Sequence, residues 1–133
     1  MYRSRPERFF PNDGETNFYL GRAHDFINKP DLATKYYDKA VVGLLEFTRN
    51  NPDYSDGFYL LGNAYYVDHQ KDKAIAAYKK CLQLSPRFAK ARYNLGIIYF
   101  SNGNLIAAKQ QYEELKKIDP VTAEKLKQAM DKK

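Results

Sequence analysis

Apolar residues recur at helical spacing through two stretches, 57–67 and 91–100, which are rich in Leu, Ala, Tyr and Ile and hold no proline. A period near that of the α-helix with no breaker inside predicts helices there. Carried along the chain, the pattern predicts helices over 15–28, 31–49, 54–68, 71–84, 87–101, 105–118 and 121–131. The residues between them agree. Pro30, Pro52, Pro86 and Pro120 stand between helical segments, where a missing amide hydrogen costs least. Asn28, His69 and Gly103 stand between the two helices of each pair, and each can take the left-handed conformation that ends a helix.

The pattern also repeats on a larger scale. Leu61-Gly62 returns thirty-four residues later as Leu95-Gly96, and Pro86 returns as Pro120. Tyr65 matches Tyr99, Ala74 matches Ala108, Tyr78 matches Tyr112 and Leu84 matches Ile118. A period of this size is the mark of stacked helix pairs, with large residues where helices interlock and small ones where backbones approach. Anchoring an upstream copy on Leu20-Gly21 places Ala33, Tyr37 and Ala40 at the spacing of Ala74, Tyr78 and Cys81. Pro52 then arrives seven residues late, so the second helix of that copy should be about two turns longer than its counterparts.

This Leu-Gly-x-x-Tyr, Ala, Pro pattern resembles the tetratricopeptide repeat (TPR) family over roughly residues 14–120. The resemblance implies an all-α fold, an α-solenoid of antiparallel helix pairs wound into a right-handed superhelix. The expected layout is an N-terminal arm at 1–13, repeats at 14–54, 55–88 and 89–120, and a capping helix with a basic tail at 121–133. The family's usual Trp is missing, with Asn17, Phe58 and Arg92 in its place, and His24 stands where the other copies have Tyr. In the final segment Val121, Ala123, Leu126 and Met130 form an apolar stripe suited to covering the last hairpin. The arm carries Arg3, Arg5 and Arg8 around Phe9-Phe10-Pro11 and shows no period.

Composition narrows the chemistry. With 133 residues, 44% hydrophobic and 15% aromatic, the chain can build one continuous core. No apolar run reaches the length of a membrane span, and no secretion-signal core is visible. A soluble protein is expected, cytoplasmic if Met1 is the native start and otherwise an excised anchored or exported domain. Cys81 takes the small-residue slot that Ala40 fills in the first copy, so it reads as a buried thiol and not a nucleophile. His24 and His69 lack ligand spacing and a cysteine partner set, and phosphate-cradling glycine motifs are absent. The sequence therefore predicts no metal, no cofactor, no catalytic residue and no enzyme activity.

The net charge of +6 raises nucleic acid as a partner, yet the lysines fall largely on second helices and the tail, where charge usually faces solvent. An acidic protein or an anionic membrane surface fits the same charge. The useful surface follows from helix geometry. If the Leu-Gly row and the Tyr or His one turn on face the second helix, the opposite stripe lines an inner wall. That stripe yields Phe18 and Arg22 from the first copy, with Tyr19 and Phe26 expected to pack between repeats instead. The second copy supplies Tyr59, Asn63 and Tyr66, and the third Lys90, Tyr93, Asn94, Ile97 and Phe100. Rigid aromatics with interspersed donors suit capture of a peptide or helix from another protein. The resemblance also implies a test for a two-carboxylate clamp. Lys90 and Asn63 stand on clamp rows, but Phe18, Leu60 and Asn94 depart from it, so standard clamp binding is not expected. An alternative reading is self-assembly into a homo-oligomer through the arm and the repeat ends.

Overall fold

The computed structural model describes residues 12–132. Among these the chain forms seven helices and no strand: α1 (Asn12–Phe26), α2 (Pro30–Asn50), α3 (Ser55–Val67), α4 (Lys71–Leu84), α5 (Ala89–Ser101), α6 (Leu105–Ile118) and α7 (Pro120–Lys132). Asn28, His69 and Gly103 all carry positive φ, at 66°, 63° and 82°, and so close the three helix pairs in the left-handed region. α1 starts three residues before the predicted position 15, with Asp13 and Glu15 in its first turn, where acidic side chains favour a helix start. The remainder of the arm lies outside the described residues. Helix α2 spans 21 residues against 14 in α4 and α6, the extra two turns that the late Pro52 implies.

The chain divides into two compact units, the first ending at Ala77 and the second beginning at Tyr78, within α4. In the first unit α1 packs along α2, and α2 against α3. Glycines set the close approaches. A methyl group on Gly21 would lie 2.5 Å from the Tyr37 ring, and one on Gly43 would lie 3.0 Å from the Cα of Gly14. The added turns of α2 bring Leu44, Phe47 and Thr48 into the core, where Phe47 occupies the space beside Gly57. Asn51 then ends α2: its buried Nδ2 donates to the Phe47 carbonyl at 2.8 Å.

In the second unit α5 packs on α6, and α7 on both. Leu115, Ala123 and Leu126 form a buried cluster, against which Tyr93, Ile97, Tyr112, Ile118 and Met130 pack. Two local hydrogen-bond sets start the helices. Asn104 Oδ1 accepts from Ala107 N at 3.1 Å to cap α6. Asp119 Oδ1 accepts from Thr122 N at 3.1 Å, and its Oδ2 from Thr122 Oγ1 at 2.7 Å, at the start of α7. Val121, expected on the apolar stripe of α7, is 68% exposed instead, because Ala123 and Leu126 already fill the contact.

Arg92, at the place of the missing Trp, holds its surroundings by polar contacts. Its Nε donates to the Pro86 carbonyl at 3.1 Å and its Nη1 to Gln111 Oε1 at 3.0 Å, tying the entry to α5 and the middle of α6. Cys81 is fully buried, like Ala40 in the equivalent slot.

Candidate functional site

The wall candidates divide by unit. In the first unit, Tyr59, Asn63 and Tyr66 lie at i, i+4 and i+7 on α3, a spacing that puts all three on one stripe. Tyr59 and Asn63 are half-buried, while Tyr66 is 37% exposed. The buried side of α3, with Gly57, Leu61, Ala64 and Tyr65, leaves that stripe as its accessible face.

α1 differs from the sequence reading. Phe18 is only 4% exposed and belongs to the core, its ring 6.2 Å from that of Tyr37. The reason is rotation about the helix axis. Gly14, Phe18 and Gly21 form the stripe against α2, and the two glycines open room that Leu44 and Tyr37 fill. Leu20, expected on the packing row as Leu61 and Leu95 are, is 38% exposed, and Phe18 takes its place. Tyr19 and Phe26, expected to pack away, are 55% and 90% exposed. Arg22 is exposed, with its guanidinium carbon over the Phe18 ring at 5.8 Å from the centroid.

In the second unit the stripe on α5 splits. Tyr93 and Ile97 pack against the cluster that α7 completes, and a methyl group on Gly96 would meet Leu126 at 2.8 Å. The same methyl group would stand 3.5 Å from Gln111 Cβ, so the glycine of the Leu-Gly pair faces its own second helix, as the sequence reading had it, and also admits α7. Asn94 is half-buried and its Nδ2 donates to the hydroxyl of the buried Tyr78 at 3.2 Å. Lys90 is exposed and Phe100 half-buried. Of the five candidates on α5, only Lys90 is therefore exposed.

Three groups in the first unit titrate away from their ordinary values. Burial and then the hydrogen bond to Asp25, whose Oδ2 accepts from Tyr37 Oη at 2.7 Å, push the Tyr37 phenol well above its ordinary value of 10.0. Burial raises Tyr65 as well. Burial of Asp68, followed by a hydrogen bond shared with Asp38, raises its carboxyl, against the opposing hydrogen bond from Gln70 at 2.9 Å. Among the described residues no group of three or more His, Cys, Asp or Glu side chains could hold a metal ion. No described helix is long and apolar enough to cross a membrane.

Stacked antiparallel helix pairs with a conserved internal register define an all-α solenoid of the repeat class. The chain belongs to the tetratricopeptide repeat family: models of the tetratricopeptide repeat match residues 20–86 and 89–122, and a TPR repeat model matches 70–103. Among curated relatives, protein bimA of Emericella nidulans is 32% identical over 87 residues, covering 65% of this chain and 11% of that protein. The UDP-N-acetylglucosamine–peptide N-acetylglucosaminyltransferase of Giardia intestinalis is 32% identical over 81 residues, covering 61% of this chain and 6% of the enzyme. The chain thus spans a small fraction of the length of these relatives. Among solved structures, the Yersinia enterocolitica type III secretion chaperone SycD in complex with a peptide of the translocator YopD superposes with a TM-score of 0.67. The two are 14% identical, over 88% of this chain and 91% of that one. The first TPR of Spaghetti (RPAP3) bound to the HSP90 peptide SRMEEVD gives 0.64 at 19% identity, over 91% and 95% of the two chains. MamA gives 0.56 at 23% identity, over 96% and 85%.

Proposed function

We propose that this chain is a noncatalytic protein-interaction module that receives an extended or helical segment of another protein on the α3 stripe of Tyr59, Asn63 and Tyr66. The observation that carries this reading is Tyr66, an aromatic side chain more than a third exposed on a helix whose opposite side is core. A rigid ring with a hydroxyl offers a large contact and a hydrogen bond at small cost in entropy. Arg22 in the same unit adds a donor for backbone carbonyls or a carboxylate. The net charge of +6 favours a segment carrying acidic residues. Two of the similar solved structures hold a peptide of another protein, which supports the same class of ligand for this fold.

The test uses a displayed library of short peptides selected on the wild-type chain. Peptides so obtained should lose binding to a Tyr59→Ala, Tyr66→Ala double variant whose helical circular dichroism is unchanged. Equal binding by the folded double variant places the interface elsewhere and ends this reading.

A further inference from the structure

The positive charge of the chain is concentrated. Residues 73–112 are forty consecutive positions with seven Lys or Arg and no Asp or Glu. All sixteen acids of the chain lie outside that stretch, where fifteen Lys and Arg balance them. The positive excess therefore belongs to one part of the molecule. In the second compact unit it surfaces on the last turns of α4, where Tyr78, Cys81 and Leu82 are buried and Lys79, Lys80 and Gln83 are exposed. Arg87, also exposed, stands in the turn that follows.

Neither packing nor helix stability calls for these lysines. The internal period places Glu113-Glu114 of α6 at the same position, and the first repeat has Asp38-Lys39 there, so the position accepts either sign. α6 also neutralises its outward face. Lys116 Nζ lies 3.4 Å from Glu113 Oε1, and Lys117 Nζ lies 3.4 Å from Glu114 Oε2. No acid follows Asp72 on α4, so its lysines have no such answer along the helix. Nor do they serve the helix dipole, because the last turn of α4 holds no basic residue.

We infer that this end of α4 receives an acidic segment of another protein, whose carboxylates pair with Lys79, Lys80 and Arg87. The surface lies on a different helix from the α3 stripe, and the inference does not depend on that stripe. Charge complementarity selects the chemistry of the partner. A single strand of nucleic acid needs rings on which its bases stack, and no aromatic side chain among residues 78–132 is exposed. A helix that lies on a bilayer buries an apolar face, and residues 78–88 expose no large apolar side chain.

Fluorescence anisotropy of a labelled hexaglutamate peptide with the full chain tests the inference. The wild type should bind the peptide with an affinity that falls as salt is added. The double variant Lys79→Gln, Lys80→Gln should weaken binding by about tenfold with its helical circular dichroism unchanged. Arg87→Gln alone should weaken it by about threefold. The double variant Lys125→Gln, Lys132→Gln removes the same charge from exposed positions on α7 and should bind as the wild type does. Hexauridylate, and vesicles of phosphatidylcholine with phosphatidylserine, should each displace the labelled peptide less well than unlabelled hexaglutamate does. No binding of the peptide by the wild type, an equal loss in the two double variants, or displacement by the RNA or the vesicles as good as by hexaglutamate would each overturn the inference.

Discussion

Gly43 of α2 faces Gly14 of α1 so closely that a methyl group on Gly43 would stand 3.0 Å from both the Cα and the amide nitrogen of Gly14. This crossing joins the extra length of α2 to the beginning of α1. Both residues are glycine for a steric reason, since the atoms in the way include backbone that cannot rotate aside. On Gly14 a methyl would lie 2.6 Å from Leu44 Cγ and 2.9 Å from the Leu44 amide nitrogen. Alanine gains about 1 kcal/mol of helix propensity over glycine, but overpacking of this kind costs about 1–3 kcal/mol. Gly14→Ala is expected to lower the thermal midpoint, and by more than Gly43→Ala. A midpoint raised by Gly14→Ala would show that α1 can lift off α2 freely.

The Tyr37 to Asp25 hydrogen bond predicts an alkaline instability. The folded-state value of Tyr37 lies above its ordinary 10.0, so folding favours the protonated phenol. The stability this supplies is present in full below pH 10 and is lost as pH rises beyond it, because the unfolded chain ionises there while folded Tyr37 does not. Tyr65, raised by burial, acts in the same direction. Tyrosinate absorbance should rise in two phases, the later one coinciding with loss of helical signal. Tyr37→Phe should lower stability at neutral pH by on the order of 1 kcal/mol and flatten the alkaline loss.

Asp119 predicts the opposite dependence at the acid end. Its side-chain and backbone hydrogen bonds to Thr122 hold the carboxyl below its ordinary value of 3.8. A lowered folded-state value means that the stabilisation is present above pH 3.8 and fades as pH falls through the folded value. Asp119→Ala should fray α7 at neutral pH, seen as faster amide exchange in Thr122 and Ala123. Asp119→Asn keeps an acceptor for the Thr122 amide and should retain the helix start while removing its acid sensitivity.

Tyr66 and Tyr93 should separate binding from folding. Tyr93 packs on the Leu115, Ala123 and Leu126 cluster, so Tyr93→Ala should cost roughly 2–3 kcal/mol of stability. Tyr66→Ala should leave the thermal midpoint within a degree or two while weakening peptide binding by about tenfold. A binding defect confined to Tyr93→Ala would shift the contact to α5.

The reach of the sequence can be judged from particular residues. Helix positions, the three left-handed turn residues and the two added turns of α2 were all legible, because propensity, proline and glycine chemistry and the internal period act over a few neighbouring residues. The buried side of α3 was legible too, as Leu61 and Tyr65 lie in the core. Phe18 was misplaced, since nothing in its own neighbourhood says that Gly14 and Gly21 make room on its side of the helix. Arg92 was seen only as a missing Trp. Its partners, Pro86 and Gln111, come together only when α5 and α6 pair.

The amino-acid order by itself thus determined that paired helices would stack and where each would begin and end. Which way each helix is rotated was decided only in the tertiary structure. A periodic pattern defines stripes around a helix, but when several stripes are apolar, as on α1, the neighbour's shape selects which one is buried. There Leu44 and Tyr37 fit the glycine side, and so Phe18 went into the core while Tyr19 and Phe26 were left facing water.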